Sequence, residues 1–177
     1  MNECKPTCAD TLAKVRAAVA EKPNQMLSDL AKEFNLSEGE VVCMLPEEMR
    51  VAAPAEDFEK IWQQVCAWEK ATFIAINAGG VVEYSGAMPK GSFGHGMYNL
   101  HQAGISLGGH LFVNRLGSIW FLSKPHFGKE SHSIQFYTTE GDPMFSVYVG
   151  RGEDKELLPS ALKQYRELRN SYAGGEA

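Results

Sequence analysis

The sequence predicts an α+β domain. One large, curved antiparallel sheet is preceded by an N-terminal helical segment and followed by a C-terminal helix. Three observations lead there. Apolar residues recur at helical spacing through residue 68, the period shortens to that of strands from residue 71, and helical spacing returns after residue 157. Turn residues separate the strand candidates at short intervals, which favours antiparallel pairing over βαβ units. At 177 residues the chain is long enough to bury a core without a disulfide or a metal.

The first helix is read over 11–21, with Leu12, Val15 and Val19 on one face. The second covers Leu27–Phe34, where Leu27, Leu30, Ala31 and Phe34 share a side. Ser37 then reads as an N-cap and Glu40 completes a capping box. That third helix ends by Leu45, because Pro46 cannot continue it. Residues 55–68 form the clearest amphipathic helix, with Phe58, Ile61, Trp62, Val65 and Trp68 at helical spacing.

Strands are expected over 72–77 and 81–85, joined by a hairpin turn at Ala78-Gly79-Gly80. Further strands are expected over 97–102, 106–113, 118–123, 133–138 and 144–149. A helix over 157–172 closes the chain, with Leu158, Leu162, Tyr165, Leu168 and Tyr172 on its buried side. An N-terminal helical segment (1–54) thus precedes a sheet domain (55–177), the two forming one compact unit. An open sheet leaves edges to be covered or paired, which makes a homodimer a reasonable expectation.

The charge pattern narrows the partners. The formal net charge is −5 and the pI is near 5.6, which argues against nucleic acid or an anionic membrane as partner. Residues 27–45 resemble a helix-turn-helix, but the second helix, Glu38-Gly39-Glu40-Val41-Val42-Cys43-Met44, carries no Lys or Arg to meet phosphates or base edges. A helical cap on the domain is the plainer reading. The polar start, the absence of a signal-like apolar stretch and the absence of a run of about 20 apolar residues fit a cytoplasmic chain without membrane insertion. Cys43 and Cys66 are expected to be reduced core residues. Cys4 and Cys8 have no second ligand pair that would suggest a metal site.

Known catalytic signatures are missing. Gly86 to Gly96 contains no phosphate loop, and there is no G-x-S-x-G elbow or HExxH. His126 and His132 do not match a zinc spacing and read as turn or strand-edge residues. The informative region runs from Gly96-Met97-Tyr98-Asn99-Leu100 to Gly108-Gly109-His110-Leu111-Phe112. A hairpin with Gly104 at the apex of a three-residue loop would set Tyr98 opposite His110 and Leu100 opposite Gly108. Opposed side chains share a face, with Cβ atoms about 4.5–5.5 Å apart. A different loop length would shift this register. Imidazole and phenolate are both heme-iron ligands, and flanking glycines leave room for a flat macrocycle. A His satisfied by backbone and a Tyr packed in the core are the structural alternatives.

At these residues the chain resembles the HutX/ChuX family of intracellular heme-utilisation carriers. The resemblance is carried by Leu45-Pro46-Glu47-Glu48-Met49 followed by Val51, by Ile61-Trp62-Gln63-Gln64-Val65-Cys66-Ala67-Trp68, and by Glu83-Tyr84-Ser85-Gly86 followed by Met88-Pro89-Lys90-Gly91. It continues through Gly94-His95-Gly96-Met97-Tyr98-Asn99-Leu100, Gly109-His110, Ser123-Lys124-Pro125, Gly128-Lys129-Glu130-Ser131 and Tyr148-Val149-Gly150-Arg151. It spans most of the chain, from Leu27 to Leu168. It implies an α+β fold paired with a second subunit, b-type heme as the carried ligand, and delivery to an acceptor protein in the cytoplasm. Residue by residue, it implies His110 and Tyr98 as iron ligands.

The chain departs from the family pattern at two places. Ile76 stands near the position of a second histidine in some relatives and cannot ligate iron. Met97 replaces the first aromatic of the motif, and its thioether could pack on a porphyrin. His95 could substitute for the missing histidine. Leu100, Phe112, Trp120 and Phe136 are candidate walls, and Lys124 and Lys129 candidate partners of the heme carboxylates. An exposed charged loop is the alternative for the two lysines. A heme-degrading oxygenase using the same pocket is the alternative to a carrier.

Overall fold

The computed structural model describes residues 9–174. Three helices open the chain: α1 (Ala9–Glu21), α2 (Leu27–Phe34) and α3 (Glu38–Met44). They are followed by β1 (Arg50–Ala53), α4 (Phe58–Val65), β2 (Ala71–Asn77), β3 (Gly80–Gly86), β4 (Gly91–Gly94), β5 (Met97–Leu100), β6 (Gly109–Leu111), β7 (Leu116–Ser123), β8 (His132–Thr138), β9 (Pro143–Val149) and α5 (Pro159–Ala173).

The α+β architecture is antiparallel, as expected, but it holds two sheets rather than one. Six strands run in the order β1-β7-β8-β9-β2-β3, and β4-β5-β6 form a separate three-stranded sheet. β1 and β4 were not anticipated. Each is only four residues long, and Pro54 and the glycines at both ends of β4 mask its period. The helix expected over 55–68 contracts to α4, with a 3-10 turn before it at Ala55–Asp57.

The six-stranded sheet is covered on both faces at β7 and β8, while β3 is largely exposed. On one face lie Phe58, Ile61, Trp62 and Val65 of α4, Ala161 and Tyr165 of α5, and Tyr98 and Leu100 of β5, against Phe73, Ile119, Phe121, Ile134, Phe136, Phe145 and Val147. α5 is tied down at Tyr165, whose hydroxyl donates to the Leu122 carbonyl at 2.8 Å. On the other face, Val15, Leu30, Val41, Val42 and Leu45 of the N-terminal helices cover Trp120, Leu122 and Tyr137. β1 precedes residue 55 yet pairs with β7, register Ala52↔Trp120.

The capping box at Ser37 is present. The Glu40 amide donates to Ser37 Oγ at 3.3 Å, and the Ser37 amide donates to Glu40 Oε2 at 2.8 Å. α3 docks on the β8–β9 turn, where the Gly39 amide donates to the Gly141 carbonyl at 2.9 Å. A Cβ on Gly39 would lie 2.9 Å from Gly141 Cα, so this contact needs glycine. The helix that a DNA reader would need free is therefore buried along Gly39, Val41, Val42 and Met44.

The cysteines differ in one respect from expectation. Cys66 is a free thiol, half-buried, with Sγ 3.2 Å from the Pro89 carbonyl, and burial pushes its pKa up to about 11. Cys43 is disulfide-bonded rather than reduced. Cys43 is half-buried on α3. Cys4 and Cys8 also lie outside the described residues. No helix among the described residues is long and apolar enough to cross a membrane.

Candidate functional site

The three-stranded sheet determines which side chains can act together. β5 pairs with β6 in the register Tyr98↔Leu111, Asn99↔His110 and Leu100↔Gly109. This is one residue away from the expected pairing. The 101–108 connection is longer than the three-residue loop assumed, with turns at Gly104 (φ 83°) and at the Ile105 amide, which donates to the Gln102 carbonyl at 3.2 Å. A slip of one residue exchanges the faces of a strand. His110 therefore lies opposite Asn99, and Tyr98 and His110 do not share a face.

Tyr98 points into the core and is 1% exposed. Its ring meets Phe58 edge-on at 5.1 Å and Phe93 at 5.0 Å. Burial, reinforced by Glu59 and Cys66, pushes its pKa up to about 12. Tyr98 is a protonated core phenol at neutral pH, and it does not line the cleft described next.

His110 is exposed and lines a cleft of about 440 Å³ between the small sheet and the β2–β9 end of the large one. Its walls include Phe73, Ala75, Leu100, Leu107, Phe112 and Met144. Among the described residues Arg115 is the only Lys or Arg that lines it. A cleft of this size, mostly apolar with few polar groups, suits a small flat ligand. A Cβ built on Gly109 would meet nothing within 4 Å, so the surface beside the imidazole is open. Nδ1 of His110 lies 2.6 Å from Asn99 Oδ1. Among the described residues no hydrogen bond engages Nε2. Nor do any three His, Cys, Asp or Glu of those residues converge as a metal site, so His110 could serve only a metal that brings other ligands with it.

The other expected residues separate. Phe112 and Leu100 line the cleft, whereas Trp120 lies beneath the N-terminal helices and Phe136 lies in the main core at 0% exposure. His95 and Met97 flank the β4–β5 turn, with left-handed φ of 53° at His95 and 76° at Gly96, and neither lines the cleft. Lys124 lies on the opposite face of the large sheet, in a groove of about 480 Å³ shared with His126, Phe127 and Tyr148. Its ammonium donates to the Pro23 and Gln25 carbonyls at 2.8 and 2.7 Å, anchoring the α1–α2 connection. Burial lowers its pKa, and burial, followed by Lys124 and Arg151, lowers that of His126. Lys129 is exposed beside Glu130 and Arg151, away from the cleft. The lysines therefore do not face the ligand that His110 would hold.

Arg115 was not anticipated. Its guanidinium sits 5.4 Å from the centre of the Phe112 ring, at the end of the short 3-10 turn Val113–Arg115. The only signal in the sequence was its position just beyond the Gly-His strand.

Comparisons with known proteins bear on the family and the fold. The model of the family described as Haem utilisation ChuX/HutX matches residues 51–168. The intracellular heme transport protein HutX of Vibrio cholerae serotype O1 is 30% identical over 159 residues, covering 90% of this chain and 82% of that protein. A solved structure of the heme binding protein ChuX superposes with a TM-score of 0.81 at 27% identity, covering 89% of this chain and 97% of that one. The heme-binding protein PhuS of Pseudomonas aeruginosa shares the fold alone, at 14% identity and a TM-score of 0.75, covering 95% of this chain and 49% of that one.

Proposed function

From the premise that the chain belongs to the ChuX/HutX haem-utilisation family, we propose that it is a heme-binding carrier. It takes up b-type heme in the His110 cleft and passes it to an acceptor protein in the cytoplasm. One observation carries the reading: His110, whose Nε2 meets no hydrogen-bond partner among the described residues, lines a mostly apolar cleft in which Arg115 is the only Lys or Arg of those residues. His110 supplies the iron ligand. Leu100, Phe112 and Met144 cover the macrocycle, and Arg115 meets a propionate. Holding iron from one side suits a carrier, because an acceptor can attack the open side, so no catalysis is assigned to the site.

Two features of this reading concern the assembly. The helical segment and the sheet domain work as one unit, since Trp120, Leu122 and Tyr137 complete the core of the N-terminal helices. A homodimer is proposed through the β3 edge, where Val81 and Val82 are 58% and 59% exposed and an unpaired strand edge invites a partner. Nucleic acid is not a partner in this reading, because α3 lacks cationic side chains and is buried.

The test is an absorption titration of the apo-protein with ferric heme, repeated for His110→Ala. A saturable Soret shift at one heme per chain, weakened and altered in line shape by the substitution, supports the carrier. Titrations that do not differ between the two proteins overturn His110 as the ligand. The absence of any saturable shift overturns heme binding. Light scattering behind a sizing column tests the dimer.

A further inference from the structure

We infer that Asn99 is a positioning residue: it holds His110 in the Nδ1–H tautomer and leaves the Nε2 lone pair unprotonated. This rests on the reading of His110 as the heme ligand. The surroundings of the Asn99 amide decide its orientation. Nδ2 of Asn99 lies 3.0 Å from the Gly94 carbonyl and 3.3 Å from the Ser92 carbonyl. Both can only accept, so the NH2 group must face them. A flipped amide would set its oxygen against two carbonyl oxygens.

With Nδ2 committed, the atom 2.6 Å from His110 Nδ1 is Oδ1. An amide oxygen has no proton to give, so Nδ1 must carry the hydrogen. In the neutral ring Nε2 is then the unprotonated nitrogen. Free imidazole side chains in water favour the opposite tautomer, with the hydrogen on Nε2, which cannot ligate until it is lost. The pairing with Asn99 removes that step.

The scaffold makes the arrangement rigid. Asn99 lies between Tyr98 and Leu100, which are 1% and 5% exposed and fix β5 from the core side. Asn99 and His110 are direct cross-strand partners. The chemistry of the acceptor matters as well. A carboxylate in this place would draw the Nδ1 proton and make Nε2 a stronger donor to iron, while a neutral amide gives a weaker push. An iron bond of moderate strength matches a ligand that must be handed on.

The experiment has one arm without heme and one with it. In the apo-protein, held at a pH where the imidazole is neutral, the 15N shifts of the His110 ring nitrogens report which one is protonated. The wild type is expected to show a protonated Nδ1 and a bare Nε2. Asn99→Leu is expected to shift toward protonated Nε2, and Asn99→Asp, which keeps an acceptor, to retain protonated Nδ1. A wild type with hydrogen on Nε2, or an Asn99→Leu protein that retains Nδ1–H, overturns the proposal. A urea midpoint for each variant separates lost folding from lost positioning.

In the heme arm, Asn99→Leu is expected to bind ferric heme about 10- to 100-fold more weakly, the usual effect of losing such a partner. The iron–imidazole stretch of the ferrous complex is expected to fall in Asn99→Leu and rise in Asn99→Asp. An unchanged stretch in both variants also overturns the proposal. If the apo shifts come out as expected and no variant binds heme, the positioning role stands and the carrier reading fails.

Discussion

Arg115→Ala should weaken heme binding through one specific group, a heme carboxylate. A hydrogen bond from a guanidinium to a carboxylate contributes about 1.5–3 kcal/mol in a sheltered site. Arg115 is exposed, so water screens the pair and about 1–1.4 kcal/mol is the appropriate figure. That corresponds to about a 5- to 10-fold rise in Kd. The guanidinium is held in advance, 5.4 Å from the centre of the Phe112 ring, which limits the entropy lost on binding. The assay is a Soret titration of wild type and Arg115→Ala with ferric heme and with its dimethyl ester. The ester removes the carboxylate charge while keeping the macrocycle. The substitution should cost about 5- to 10-fold with heme and nothing with the ester. An equal loss with both ligands would refute the pairing and leave Arg115 as a packing residue for Phe112.

Three further outcomes concern stability. Ser37→Ala removes the capping box of α3 and should cost about 1 kcal/mol, seen as a lower urea midpoint with unchanged slope. Phe136→Ala empties a fully buried site that stacks on Phe145 at 4.5 Å, and should cost about 3–5 kcal/mol by the same measurement. Burial pushes the Tyr165 phenol from its ordinary value of 10.0 up to about 12, so the folded chain binds more protons than the unfolded chain between those values. Its contribution is whole below the unfolded value and is lost as pH rises through the folded one. Urea midpoints should therefore fall on that alkaline limb, and more gently in Tyr165→Phe.

The helices and most strands were legible because each carries its own period: Phe58, Ile61, Trp62 and Val65 on α4, and alternating burial along β2. The capping box was legible because Ser37 and Glu40 alone specify it. β1 and β4 were not, since four residues cannot display a period. The candidate site was legible in its position and misread in its facing. The Gly109-His110 strand could be located, but strand partners depend on the length and path of the 101–108 loop, which residue types do not determine. The error of one residue put Tyr98 beside His110 and hid Asn99. Lys124 was chosen for its charge, and charge does not tell that its ammonium is taken by two carbonyls. Arg115 was missed because a lone arginine in a turn looks the same whether it meets a ligand or only solvent.

The alternation along β5 has a consequence for how such a protein can change. Tyr98 and Leu100 face inward and Asn99 faces outward, so one short strand carries two separate tasks on alternate residues. Substitution at position 99 alters the ligand chemistry without disturbing the ring packing beneath it. Substitution at 98 tests folding and leaves the chemistry as it was, whereas Leu100, buried and also lining the cleft, bears on both. A lineage, or a protein engineer, can therefore retune the affinity of this cleft one residue at a time, drawing little on the stability of the domain that supports it.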